Sequence, residues 1–198
     1  MSEATPTRAY ALELMDERRA MREGYVFLDE KCLLLAGAIL RELARYGDLL
    51  RTLEAAQAAA STALRAAVGR HGFAGLCVYP ASEQRDATLA IAGRSVMGVR
   101  LQDAQWRPHD APAPPAAAPS PEAEACRRAF IQVVAAAAQV GAAAGNLERL
   151  SFEYRRSVRR ARALQDVLLP ELDRSLYGIE TRLEELEQED AVSMRPRR

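Results

Sequence analysis

The sequence is poor in aromatic residues and carries no excess of charge of either sign. Aromatic side chains make up 6% of the 198 residues, while alanine, leucine, glutamate and arginine dominate both ends of the chain. This composition favours long helices over a single large globular core. The 27 basic residues balance the 27 acidic ones, so net charge gives no reason to expect binding to nucleic acid or to an anionic membrane.

Cysteine and histidine are also scarce. The three cysteines, Cys32, Cys77 and Cys126, are far apart, and they match neither a disulfide framework nor metal-binding spacing. We therefore expect free thiols in a reducing cytoplasm. His71 and His109 lie beside glycine or proline in expected loops. No Walker loop, metal cluster or nucleophile–base pair is found, which predicts a protein without its own catalytic site or cofactor.

Long hydrophobic runs are absent as well. The first residues, "MSEATPTRAYALELMDERR", contain no apolar signal-peptide region. The most apolar run, "AFIQVVAAAAQVGAAAG", is alanine-rich and interrupted by Gln132 and Gln139, so it is a poor candidate for a membrane span. These features predict a soluble protein.

The N-terminal third has an apolar seam at heptad spacing. We predict a coiled-coil helix over residues 6–68, capped by Thr7 and ended by Gly69 and Gly72. Only Arg18 and Glu42 interrupt the seam. Its apolar members are Leu14, Met21, Tyr25, Leu28, Cys32, Leu35, Ile39, Tyr46, Leu49 and Leu53.

The middle of the chain, residues 69–120, lacks the helical pattern of the two ends. The stretch "DATLAIAGRSVMGVRLQ" alternates as two short strands do, and we expect a β-hairpin with its turn at residues 92–94. "GLCVYP" before it suggests another extended piece. "RPHDAPAPPAAAPSP" after it predicts a surface linker with polyproline character.

A second long helix is predicted over residues 121–191, with residues 192–198 as a basic tail. Ser120 and Pro121 form a typical helix start. Pro170 should kink or shift this helix, because proline cannot donate a backbone bond to Asp166. The predicted seam residues near the C-terminus are Leu172, Leu176, Ile179, Leu183 and Leu186.

Two amphipathic helices flank a small insert. The simplest way for both to bury their apolar seams is to pack against each other. We therefore predict a mainly α-helical protein in which the N- and C-terminal helices form an antiparallel two-helix coiled coil. On that geometry Arg18 lies near Glu184 and Glu185, where its charge can reach a carboxylate at the seam's edge.

Three blocks of the sequence resemble one known family. They are "TPTR…L…G…FLDEK" (Thr5–Lys31), "VMGV" (Val96–Val99) and "RRARALQDVLLPELDRSLYGIETRLEELEQED" (Arg159–Asp190). Their order is similar to that in the D subunit of the V/A-type rotary ATPases. The resemblance covers both helical ends and the hairpin, but not the linker or the alanine-rich stretch at residues 135–144.

The resemblance implies a non-catalytic rotor shaft in the central stalk. Its partners would be the catalytic A and B subunits, the small F subunit of the stalk and the cap protein of the membrane rotor. It would couple ATP turnover to proton or sodium transport, lie in the cytoplasm at the membrane's inner face and bind no cofactor. Candidate partner contacts are Arg8, Arg18, Met97, Val99, Arg182, Glu184 and Glu185.

Two alternatives remain at this stage. A prefoldin-like chaperone or scaffold also combines coiled-coil arms with β-hairpins, although it needs apolar arm tips where this chain has "ERRAMRE" and "EELEQED". A nucleic-acid-binding hairpin using "RRSVRRAR", residues 155–162, is disfavoured by the neutral net charge.

Overall fold

The computed structural model describes residues 7–80, 87–108 and 115–193. These residues are mainly helical, with one antiparallel two-stranded hairpin, which confirms the predicted coiled-coil-like fold class. In chain order the elements are helix α1 (Arg8–Cys77), strands β1 (Thr88–Val96) and β2 (Val99–Arg107), helix α2 (Pro121–Ala163), a π-helical segment (Leu164–Leu168) and helix α3 (Leu169–Ser193).

Both predicted helix caps are present. The backbone N–H of Tyr10 donates to Thr7 Oγ1 over 3.2 Å, and that of Ala123 donates to Ser120 Oγ over 3.1 Å. Each hydroxyl satisfies a donor that the first helical turn leaves without an intrahelical partner. The N-termini of α1 and α2 are therefore fixed by local sequence.

Helix α1 extends past its predicted end at Gly69 and Gly72. It continues to Cys77, so Gly75–Cys77 is helical rather than extended, and His71 lies in a helix rather than a loop. Gly72 is the one break, with φ 67° and ψ 165°. Glycine adopts this conformation without a steric clash because it has no Cβ. The chain then returns to helix and stays helical to Cys77. His109, part of the linker and the basic tail from residue 194 lie outside the described residues.

The hairpin turns four residues later than predicted. Nine residue pairs run without interruption from Thr88 opposite Arg107 to Val96 opposite Val99. The turn is Met97-Gly98, with φ 49° and 83°, as expected for a two-residue type I′ turn. The predicted turn at residues 92–94 is wrong because that segment is a regular part of β1.

The described residues separate into two compact units. In the first, residues 7–34 meet residues 154–193, and the pairing is antiparallel: Arg8 contacts Glu187, Arg18 contacts Asp173, and the side chain of Leu164 lies over Gly24. Its buried residues are Ala11, Leu14, Cys32, Ser157, Ala161 and Leu176.

The second unit comprises residues 35–153 and contains the hairpin. Its helical pairing is also antiparallel, since Glu42 bonds Asn146 while His71 bonds Ser120. Small side chains make much of this core, so the two helices can approach closely. The buried residues of its helices include Leu35, Ala38, Ala60, Ala67, Ala136, Ala143 and Leu150.

The helical stretch Pro121–Ser193 contains one 18-residue window long and apolar enough to cross a membrane by length and composition. The alanine-rich sequence with Gln132 and Gln139 predicts a poor membrane span here. Ala136 and Ala143 of this stretch are buried, but only 17% of the apolar window is buried within the structure.

The π-helical segment ends at Leu168, two residues before Pro170. The backbone N–H of Leu169 bonds to the carbonyl of Leu164, five residues back. Such a turn takes up one extra residue, so it shifts which side chains face the partner helix. The predicted local shift at Pro170 is therefore present, in the form of a π turn.

The predicted seam residues differ in burial. Leu186 is the most open, with 46% of its surface exposed. Leu14, Leu35 and Leu176 are buried. The half-buried members are Met21, Tyr25, Leu28, Ile39, Tyr46, Leu49, Leu172, Ile179 and Leu183.

Candidate functional site: the hairpin seat and the paired seam charges

Glu42 is a charged residue at a core position of α1. It is only 3% exposed, and a buried carboxylate needs hydrogen-bond donors to offset its lost hydration. Arg94 Nη2 of β1 donates to its Oε2 over 2.8 Å, and Asn146 Nδ2 of α2 donates to its Oε1 over 2.9 Å. One side chain of α1 thus contacts both the hairpin and the second helix.

Asn146 is fully buried and joins α2 to strand β2. Its Oδ1 accepts the backbone N–H of Gln102 over 2.8 Å, and its Nδ2 donates to the Gln102 carbonyl over 2.8 Å. The side-chain amide therefore pairs with β2 as a peptide group of a neighbouring strand would. Arg149 Nη2 adds a 2.9 Å bond to Asn146 Oδ1.

Two further charges complete this cluster, which we call the hairpin seat: Glu42, Arg45, Arg94, Asp103 and Asn146. Arg45 of α1 bonds Asp103 of β2 and lies 3.6 Å from Glu42. Arg94 Nε lies 3.8 Å from Asp103 Oδ2. Two carboxylates and two guanidinium groups alternate, so the seat is electrically balanced and fixes the hairpin on both helices.

Arg18, the other charge in the predicted seam, also has a partner across the helices. Its Nη1 lies 3.1 Å from Asp173 Oδ1. The expected partners, Glu184 and Glu185, lie about three helical turns further along α3. That expectation is wrong, because the pairing of the two helices is offset from the simple antiparallel rule.

The predicted partner contacts differ in accessibility. Arg182, Glu184 and Glu185 belong to α3, and all three are exposed. Arg8 is exposed and pairs with Glu187, a contact that raises the pKa of Arg8 through the hydrogen bond and the nearby charge. Met97 is half-buried in the hairpin turn.

Val99 is only 8% exposed. Its burial argues against a partner contact, so we assign Val99 to the packing beneath the hairpin.

Large apolar side chains also lie outside the predicted seam, and sequence periodicity did not single them out. In the first unit, Val26, Phe27, Leu33 and Leu34 of α1 are exposed. In the second unit, Leu40, Leu43 and Phe73 of the same helix are exposed. Large contiguous exposed apolar patches often mark protein–protein contact surfaces, whereas single exposed apolar residues are common.

The three thiols differ in burial. Cys77 is exposed, whereas Cys32 and Cys126 are buried. Burial raises the pKa of both buried thiols, and for Cys32 the nearby Asp29 raises it further. Within residues 7–80, 87–108 and 115–193, no three histidine, cysteine or acidic side chains lie together as a metal site.

Long helices from both ends of the chain, paired polar groups in their seams and an inserted hairpin define a coiled-coil-like helical protein. The family model for the D subunit of ATP synthase matches residues 11–195. The chain therefore belongs to the ATP synthase D-subunit family, which is the D subunit of V/A-type ATPases. It is part of an ATP synthase complex with other subunits. No individual curated protein matches it significantly.

Proposed function

We propose that this chain is the non-catalytic rotor shaft of a V/A-type ATPase or ATP synthase. The family match over residues 11–195 carries the proposal. As a central-stalk component it turns inside the ring of A and B subunits. It couples their ATP turnover to proton or sodium transport, working at the cytoplasmic face of the membrane.

The paired polar groups suit a part that transmits torque. The hydrophobic effect is non-directional, so it alone fixes the relative position of two helices less sharply than directional bonds do. Hydrogen bonds and ion pairs at fixed positions oppose sliding of one helix along the other. Arg18–Asp173 in the first unit and Glu42–Asn146 in the second supply this kind of link.

The outer surfaces supply the partner contacts in this proposal. The charges at Arg182, Glu184 and Glu185 suit the polar faces of the catalytic subunits. The off-seam apolar residues of α1 suit contacts that bury hydrophobic area. The hairpin, with Met97 at its turn, suits contact with the small F subunit or with the rotor cap.

Co-expression with the A, B, F and cap subunits from the same genome tests the proposal. We expect one complex on size exclusion, with ion transport by that complex depending on this chain. A complex that forms and transports ions equally well without the chain would refute the rotor role. Suppression of aggregation of an unfolded client by the isolated chain, with no complex formed, would favour the prefoldin-like alternative.

A further inference from the structure

The hairpin has two edges, and among the described residues Asn146 bonds the outer edge of β2 at Gln102. Asn146 pairs with the N–H and the carbonyl of Gln102 on β2. Both groups must therefore point away from β1. Among the described residues the sheet contains only β1 and β2. The outer edge of β1 has no strand beside it in that part of the chain.

The register shows which groups line that edge. Gln102 lies opposite Gly93, so this is a pair in which neither residue bonds the other strand. Backbone direction alternates along a strand, and thus the N–H and carbonyl groups of Leu89, Ile91, Gly93 and Ser95 all point outward. The two-residue turn closing at Val96 and Val99 gives the same assignment.

This edge lacks the features by which proteins protect an open strand. The nine pairs run without a bulge, and β1 contains neither proline nor lysine. Its one charge, Arg94, is engaged by Glu42. Leu89 and Ile91 are 48% and 57% exposed. A long, regular and partly apolar edge is a ready template for another strand.

Charge indicates the chemistry of the partner. Arg94 and Asp103 belong to the hairpin seat, whereas Arg100 is exposed, and no ion pair holds it within the described chain. Arg100 lies opposite Ser95. Together with Ile91 and Gly93 it lines an open pocket with a volume of about 400 Å³. A carboxylate suits this position. A second copy would instead bring another arginine-bearing hairpin against it.

We propose that the outer edge of β1 binds an extended segment of another protein of the complex, which joins the hairpin as a third strand. Its aliphatic side chains pack on Leu89 and Ile91, and one of its acidic side chains pairs with Arg100. This choice of partner rests on the proposed function, because the segment is assigned to another subunit of the same ATPase complex.

Hydrogen exchange followed by mass spectrometry tests this proposal on the isolated chain and on the complex assembled with A, B, F and cap subunits. In the isolated chain the amides of Leu89, Ile91, Gly93 and Ser95 should exchange rapidly, while the alternate amides of β1 are protected by β2. In the complex those four amides should slow by about tenfold or more.

Three variants test whether the added protection arises at the outer edge of β1. Ile91→Lys places a charge on the edge and should remove the added protection within the complex. Arg100→Glu should weaken it through repulsion of the partner's acid. Gln105→Lys, on an exposed position of β2, should leave it unchanged.

Three outcomes would overturn the proposal. Four amides that stay fast in an assembled complex would refute the edge while leaving the rotor role intact. Protection that rises with the concentration of the isolated chain would make a second copy the occupant. A chain that never enters the complex would refute the proposed function and, with it, this partner.

Discussion

The side-chain amide of Asn146 takes the place of a β-strand beside Gln102. Its oxygen and nitrogen each lie 2.8 Å from the backbone N and O of Gln102, and its nitrogen also reaches Glu42 over 2.9 Å. One residue of α2 therefore fixes the hairpin's register on the helices. This pairing explains why an asparagine, a poor helix former, stands in an alanine-rich helix.

Removing the amide should loosen the hairpin. Asn146→Ala leaves the N–H and carbonyl of Gln102 and one oxygen of Glu42 without their partner, so we expect a loss of about 1–3 kcal/mol in the free energy of unfolding. Urea unfolding followed by circular dichroism measures it. Gln132→Ala, at an exposed position of the same helix, should change stability little. Equal stability of the two variants would contradict a structural role for Asn146.

Replacing Glu42 by leucine distinguishes between two explanations of the charge in the seam. A plain heptad seam predicts that Glu42→Leu stabilises the protein, because leucine restores the apolar pattern. The hairpin seat predicts the reverse, since leucine removes the carboxylate that accepts a hydrogen bond from Asn146 and another from Arg94. Thermal unfolding should show a lower Tm for Glu42→Leu and little change for the control Ile39→Leu. A raised Tm for Glu42→Leu would favour the plain seam.

Local patterns in the sequence were enough to predict the long elements. Heptad spacing indicated the helices, and Thr7 and Ser120 marked their starts. The hairpin turn was misplaced because Gly93 resembles a turn residue, whereas Gly98 takes the positive φ. Both glycines fit the local pattern, and only the strand register distinguishes them.

The hairpin seat could not be predicted from the sequence. Glu42 stood out as a charge in an apolar seam, which signals a buried partner without naming it. Asn146 follows 104 residues later, and Arg94 and Asp103 lie on strands whose register was misjudged. Glu42 and Arg18 look alike as seam charges, yet Glu42 is buried and Arg18 is half-exposed. Tertiary pairing decides this difference.

The Arg18–Asp173 contact predicts a specific rescue. Arg18→Asp places two carboxylates together and should destabilise the chain by at most about 1 kcal/mol, because both side chains are partly solvated. Adding Asp173→Arg should restore most of the loss. The same Arg18→Asp change combined with Glu184→Arg should not. Rescue by the Glu184 variant alone would show that the helices pair in the simple antiparallel register.

The thiols should differ in reactivity. At pH 8, Cys77 should react with an alkylating reagent at the rate of a free thiol, while Cys32 and Cys126 react only when the chain unfolds. Mass spectrometry after timed labelling measures this. Fast labelling of all three in the native protein would contradict the described packing.

The same burial predicts a dependence on pH. Burial raises the pKa of Cys32 and Cys126 above the ordinary value of 9.0, so these thiols ionise more readily in the unfolded chain. Their contribution to stability is complete below pH 9 and is lost as pH rises through the folded-state pKa. Cys32→Ser with Cys126→Ser should flatten this alkaline slope in unfolding curves. An unchanged slope would assign it to other groups.

Rotation of the chain inside its complex is the most direct measurement of the central claim. A biotin attached at Cys77, the exposed thiol, can carry a bead on a complex whose A and B subunits are fixed to a surface. The rotor proposal predicts that the bead turns in one direction when ATP is added and stops when ATP is withdrawn. A bead that shows only random motion, while the same complexes hydrolyse ATP, would contradict it.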